Sequence, residues 1–185
     1  MSDSAMPPAA TPARPRLRIG HGYDLHRLEP RPPLGQGRPL VLGGVTFDHS
    51  MGPISHSDGD ALLHAATDAI LGALGLPDIG QLFPDDNPRH ESRDSSHFLL
   101  EAMRQARAAG YELINVDATV ILERPKLSPQ KERMRRRLAE LLGVAPESVN
   151  IKGKTHERVD AVGEGRAVEV HVVALLEASP GPGSP

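Results

Sequence analysis

Apolar residues in this chain come in short bursts separated by glycine, proline and polar clusters, and the spacing inside each burst predicts its element. Leu17-Arg18-Ile19-Gly20-His21-Gly22-Tyr23 reads as a first strand, with Asp24-Leu25-His26 at its exit. Pro39 to Phe47 reads as two short strands around Gly43-Gly44, a hairpin signal. A helix is expected to begin near Ser57, where Ser57 and Asp60 stand at capping-box spacing ahead of the periodic run Ala61 to Leu74. Gly75 and Pro77 stop it. From Asp78 to Arg93 no period is visible, and a polar loop of that length is unusual in a compact domain unless it is functional.

A second helix is expected from about Ser95 to Ala109, closed by Gly110. Ile114 to Leu122 reads as a strand with its polar residues on one face. Ser128-Pro129 has the form of an N-cap followed by proline in the first helical turn, and Gly143 ends that third helix. Val149 to Lys152 and Ala167 to Leu176 supply the last strands. Strands alternating with helices, plus a hairpin, predict an α/β (α+β) fold in a single domain. It has a mixed four- to five-stranded sheet, helices packed on one face, and a small hairpin. Residues 1–16, rich in Pro and Ala, and residues 178–185 are expected to be disordered tails, which leaves 17–177 as the folded domain.

Composition removes several function classes. The chain has 185 residues and no cysteine, so a metal would be held by His, Asp or Glu rather than by thiolates. No stretch approaches the roughly 20 apolar residues of a membrane span. A net charge of −3 and an aromatic content of 3% argue against nucleic acid as a partner. A soluble cytoplasmic protein is the expectation.

Candidate chemistry concentrates in a few strings. Asp24 and His26, two apart on a strand, point to the same side and can converge on one metal, although the same spacing describes an idle surface pair. Asp60, His64 and Asp68 share one helix face, while Leu62, Leu63, Ala66, Ala69, Ile70 and Leu74 leave little of that helix for solvent. A half-buried His with carboxylates one turn away resembles a metal ligand with supporting groups. Asp24, His26 and His64 would then make a three-ligand site with an open position, or His64 is part of a polar stripe. Lys126, just ahead of an expected helix start, suits a phosphate, and Lys152 to Glu157 mixes phosphate-compatible groups with a hard carboxylate suited to Mg²⁺. The basic run Lys131 to Arg137, interrupted by Glu132, reads as a solvated helix face, with an RNA-contacting helix as its rival.

Taken in order, three strings resemble the 2-C-methyl-D-erythritol 2,4-cyclodiphosphate synthases of the non-mevalonate isoprenoid pathway. They are Arg18 to His26, Ser55 to His64, and Asp78 to Asp85. The resemblance covers residues 17–177. It implies a zinc site made by Asp24, His26 and His64, with a substrate phosphate oxygen in the open position. It further implies that Glu157 holds a second divalent ion, Mg²⁺ or Mn²⁺, and that His56, Lys126, Thr155 and Glu157 are the catalytic group. His56 and Ser57 would contact phosphate. Asp78, Gly80, Phe83, Asp85 and Asn87 would form the wall of the erythritol pocket. Leu122, Arg124, Leu127 and Ser128, with Lys154 beside Thr155, would bind the cytidine nucleotide end. The substrate is thus expected to be a small nucleotide diphosphate, and the assembly a homotrimer with sites between subunits.

The chain departs from the common family pattern at Gly163-Glu164-Gly165-Arg166, where the two charges are exchanged, and at Ala161, Lys154 and His156. Two rival functions remain, and only the first uses the same ligands. One is a metal-dependent phosphohydrolase with water as nucleophile; the other is an RNA-binding module built on Lys131 to Arg137.

Overall fold

The structure, a computed structural model, describes residues 15–84 and 93–179. Its backbone is a five-stranded sheet in the order β4-β1-β7-β5-β6. β1 (Leu17–Pro30) runs antiparallel to β7 (Ala167–Ala178), with Leu17 opposite Glu177 and Arg27 opposite Ala167. β7 pairs antiparallel with β5 (Tyr111–Ile121), and β5 pairs parallel with β6 (Val149–Lys154), so the sheet is mixed as expected. β2 (Leu40–Leu42) and β3 (Val45–Phe47) form the separate hairpin, turning on Gly43 and Gly44, both at positive φ where a β-carbon would be strained.

Three helices cover one face of the sheet. α1 (Ala61–Leu74) lies across β1 and β7, with α3 (Ser96–Ala108) and α4 (Lys131–Leu142) beside it over β5 and β6. α1 approaches unusually closely because β1 offers no side chain beneath it. A β-carbon on Gly20 would stand 1.8 Å from the Ala69 carbonyl oxygen, and one on Gly22 would stand 1.9 Å from that of Ala65. Leucines and valines from the helices and from alternate strand positions close the core between these layers. Among the described residues no layer covers the opposite face of the sheet, and Leu17, Ile19, Tyr23, Leu25 and Val173 are exposed there.

Several expectations need correction. β1 continues to Pro30, so Asp24 and His26 lie inside the strand rather than at its exit. The cap of α1 is Asp60, whose carboxylate accepts from the backbone N–H of Leu62 and Leu63; Ser57 lies outside the helix. α4 starts at Lys131 with Gln130 at its N-cap, after a turn over Ser128 to Gln130, so Ser128 is not the cap. The expected polar loop contains a one-turn helix, α2 (Ile79–Leu82), capped by Asp78. β4 (Met51–Pro53), the short α5 (Asp160–Gly163) and a 3₁₀ turn at Pro146–Ser148 carry too little period to be read from sequence. β7 keeps its pairing to Ala178, one residue into the expected C-terminal tail.

Candidate active site

The close approach of α1 to β1 places His64 over Asp24 and His26. Asp24 Oδ2 lies 3.0 Å from His26 Nε2 and 3.1 Å from His64 Nδ1, and the two nitrogens are 3.1 Å apart. Three donors from two elements therefore converge on one point, and all three side chains are largely buried. Burial alone would raise the Asp24 pKa, but hydrogen bonds from His26 and His64, and their charges, hold the carboxyl far below its usual range. Burial pulls His64 down, yet the Asp24 hydrogen bond and charge, with Asp60 and Asp58 further off, shift it upward overall. A cluster that holds positive charge between one carboxylate and two imidazoles suits a divalent cation in the same place. Two nitrogens and one oxygen match the three-protein-ligand sites of catalytic zinc.

The carboxylates one turn either side of His64 have other tasks than the sequence indicated. Asp60 caps α1 and also accepts from Gly43 and Gly44 in the hairpin turn. Asp68 accepts from the Ile79 backbone N–H at 2.7 Å, fastening α2 to α1. The far nitrogen of His64, Nε2, instead faces two hydroxyls: Ser95 Oγ at 2.8 Å and Ser57 Oγ at 3.2 Å. Asp58 stands behind Ser95 and receives its hydroxyl hydrogen bond. In sequence Ser95 marks only a helix start; its burial beside His64 has no signal in the spacing.

The triad opens into a cavity of about 310 Å³. His56, Ser57, Gly80 and Phe83, all expected at the site, line it with Asp24, His26 and His64. Ile79, an apolar residue that the sequence places in a polar loop as a wall, lines it too; Ile54, Ser55 and Phe98 complete it without having been singled out as lining residues, and Phe83 packs on Phe98 with ring centres 4.8 Å apart. Asp78 supports this wall rather than lining it: its side chain accepts from the N–H of Gln81 at the start of α2. Asp85 and Asn87 lie outside the described residues.

The remaining expected residues gather elsewhere. Leu122, Lys126, Leu127, Ser128, Lys154, Thr155 and Glu157 line a second cavity of about 380 Å³, together with Glu123, Lys131 and Gly153. It shares no lining residue with the first. One oxygen of Glu123 is buried there without a hydrogen-bond partner. Glu157, which lines this cavity, takes positive φ, as do Arg158 and Asp160 just after it. Arg124 is exposed and lines neither cavity. Lys126 is separated from the start of α4 by the intervening turn, so it does not sit at that helix's N-terminus as the sequence implied.

Comparison with known proteins gives this geometry its context. Residues 17–177 match the YgbB family. The chloroplastic 2-C-methyl-D-erythritol 2,4-cyclodiphosphate synthase of Oryza sativa subsp. japonica is 56% identical over 170 residues, covering 91% of this chain and 74% of its own length. The synthase of Laribacter hongkongensis is 48% identical over 161 residues, 87% of this chain and 96% of its own. Among solved structures, the CDP complex of IspF from Plasmodium falciparum superposes with a TM-score of 0.78 at 35% identity, covering 91% of this chain and all of that one. The bifunctional IspDF from Campylobacter jejuni reaches 0.81 at 37% identity over 88% of this chain, which spans 42% of that longer protein. With one family model spanning the whole folded region and relatives sharing half of its residues, this chain belongs to the YgbB family, that of the 2-C-methyl-D-erythritol 2,4-cyclodiphosphate synthases.

Proposed function

We propose that the chain converts 4-diphosphocytidyl-2-C-methyl-D-erythritol 2-phosphate to 2-C-methyl-D-erythritol 2,4-cyclodiphosphate and CMP, within the non-mevalonate isoprenoid pathway. The observation that carries this reading is the Asp24-His26-His64 triad opening into a cavity, in a chain whose relatives are named for that synthase. An oxygen of the 2-phosphate attacks the β-phosphorus, the new P–O bond closes the ring, and the electron pair of the broken P–O bond leaves with CMP. Attacking and leaving groups are both anionic, so charge opposition and alignment are what the protein must provide.

Zinc at Asp24, His26 and His64, with Mg²⁺ or Mn²⁺ at Glu157, supplies positive charge against the phosphate oxygens when bound. The chain's own groups do the rest. Lys126 adds a fixed cation in the second cavity, where Leu122, Leu127, Ser128 and Lys154 surround the nucleotide end. Thr155 and His56 contact phosphate oxygens and hold the two ends for in-line attack. Ile54, Phe83 and Phe98 keep water from competing, and Gly80 leaves room for the sugar alcohol against the α2 wall.

The working unit is a homotrimer with each site shared between neighbouring chains. Two observations support this: the two groups of site residues line separate cavities, and the exposed apolar sheet face asks for a covering layer. The cytoplasm is the proposed location; among the described residues no helix is long and apolar enough to cross a membrane. The Lys131 to Arg137 helix is a poor RNA surface, since Arg135 and Arg136 pair with Glu132 and Arg137 pairs with Glu140.

Phosphorus NMR of the purified protein with its proposed substrate tests the reading. Cyclic diphosphate and CMP in equal amounts are expected. Inorganic phosphate without the ring would replace the synthase with a hydrolase.

A further inference from the structure

We propose that Ser95 is a positioning residue for the metal site, fixing through Asp58 which nitrogen of His64 faces the ion. The inference rests on the metal reading of Asp24, His26 and His64 given above.

Ser95 occupies the N-cap position of α3, where a serine side chain ordinarily accepts from a backbone N–H of the first turn. It makes no such bond. It is fully buried, and its hydroxyl oxygen lies 2.8 Å from His64 Nε2 and within hydrogen-bond reach of Asp58 Oδ1. Asp58 is itself anchored: its Oδ2 accepts from the Ser95 N–H at 3.1 Å, its Oδ1 from the Asp60 N–H at 3.2 Å, and its own N–H donates to Arg93 O at 3.2 Å. A polar side chain placed where it caps nothing, in a buried position between a carboxylate and an imidazole, is spent on those two groups.

The direction of the chain of bonds follows from counting protons. An ionised carboxylate only accepts, so the single hydroxyl proton of Ser95 goes to Asp58. The Ser95 oxygen then has only lone pairs to offer His64, and Nε2 must carry hydrogen. Nδ1, the nitrogen turned toward Asp24 and His26, is then the one that gives up its proton where a metal takes its place. The sequence His64–Ser95–Asp58 thus selects the tautomer that can bind a metal, a task usually done by a carboxylate or carbonyl in direct contact with the ring. Ser57 Oγ, 3.2 Å from the same nitrogen, is a second acceptor that already receives the Gly59 N–H.

The test uses the full chain, with histidines labelled by ¹⁵N, and zinc as the probe. In the zinc-loaded wild type, the His64 ring is expected to show a protonated Nε2 and a metal-bound Nδ1. Ser95→Ala is expected to weaken zinc binding about 10- to 100-fold, as loss of such supporting groups does elsewhere. Asp58→Asn offers a donor in place of an acceptor; Ser95 can then turn its own proton to Nε2, so weakened zinc binding and loss of the Nε2–H signal are expected. Saturating zinc should restore CMP release in Ser95→Ala, because Ser95 acts only through His64. A wild-type His64 bound through Nε2, or a folded Ser95→Ala that keeps zinc affinity within twofold, would overturn the proposal. The wild-type tautomer decides the matter even if the variants do not fold. A wild type that binds no zinc would instead remove the metal reading itself.

Discussion

Asp60 holds Gly44 by a 2.6 Å hydrogen bond from the glycine N–H to Oδ2, tying the hairpin turn to the start of the helix that carries His64. The same carboxylate accepts from Gly43, Leu62 and Leu63. Asp60→Asn keeps one acceptor oxygen and turns the other toward the hairpin as a donor facing a donor. A loss of about 1–3 kcal/mol is expected, read from denaturant unfolding. Burial raises the Asp60 pKa, against the backbone bonds from Gly44, Gly43 and Leu63 that lower it. A carboxyl with a raised folded pKa contributes stability below its unfolded value of about 3.9 and loses that contribution as pH rises through the folded pKa. The deficit of the variant relative to wild type should therefore shrink as pH rises from the acid side. A deficit that grows with pH would contradict this sign.

Gly22 and Gly72 should respond oppositely to the same change. A β-carbon on Gly22 meets the Ala65 carbonyl at 1.9 Å, so Gly22→Ala must lift α1 from β1 and carry His64 away from Asp24. Overpacking of this kind costs about 1–3 kcal/mol or more, and weaker zinc binding should accompany it. Gly72 lies on the exposed side of α1, with the nearest atom outside its own helix 3.8 Å from an added β-carbon. Gly72→Ala should gain about 0.5–1 kcal/mol from helix propensity. Thermal unfolding of both variants checks the pair.

His64→Ala removes one of three converging donors and leaves two. Loss of about one zinc per chain and of CMP release is expected, with the far-ultraviolet circular dichroism retained. Stoichiometric zinc with full activity in the variant would refute the ligand assignment.

Glu157 is exposed on the second cavity, remote in sequence from the triad, and its proposed ion is a hard one. Glu157→Gln should keep zinc yet lose magnesium-stimulated turnover, because an amide is the poorer ligand for Mg²⁺. An unchanged magnesium response would separate Glu157 from the second ion.

These residues differ in how visible they are before the fold is known. Asp24 and His26 share a strand face by period alone, and the apolar circumference of Ala61 to Leu74 leaves little of that helix to solvent, though spacing does not choose between His64 as a ligand and His64 in a polar stripe. The mixed sheet with helices on one face follows from the same periodicities, whereas the strand order β4-β1-β7-β5-β6 has no signal in them. Ser95 was invisible as a site residue, since its cap-like position gave its hydroxyl an ordinary explanation and its partners lie 31 and 37 positions away. Asp60 and Asp68 were assigned to His64 because helix spacing reports which residues share a face, not which neighbour from another element takes their hydrogen bonds. β4 and α5 are too short to establish a period, so pairing and local hydrogen bonds decide them.

Two apart in sequence, Glu164 and Arg166 would face the same way on an extended segment, and a threefold axis would then stack them in neighbouring charged layers. The structure bends the chain between them at Gly165, with φ of +76°, and Arg166 Nε reaches Glu164 Oε2 at 2.8 Å. A second bond runs from Arg166 Nη2 to the same oxygen, so the exchanged charges neutralise each other within one chain. An exposed pair of this kind contributes about 0.2–1 kcal/mol, and a trimer repeats it around the axis. Glu164→Arg breaks the pair and brings six cationic groups together in the proposed trimer, whereas Glu164→Arg with Arg166→Glu restores a pair in the reverse order. The single variant is therefore expected to dissociate at low salt and low concentration, and the double variant to reassemble. Salt should narrow the difference, because screening shortens the reach of the repulsion. Sedimentation of wild type and both variants decides: a single variant as trimeric as wild type would place these residues away from the axis, and a monomeric wild type would remove the trimer.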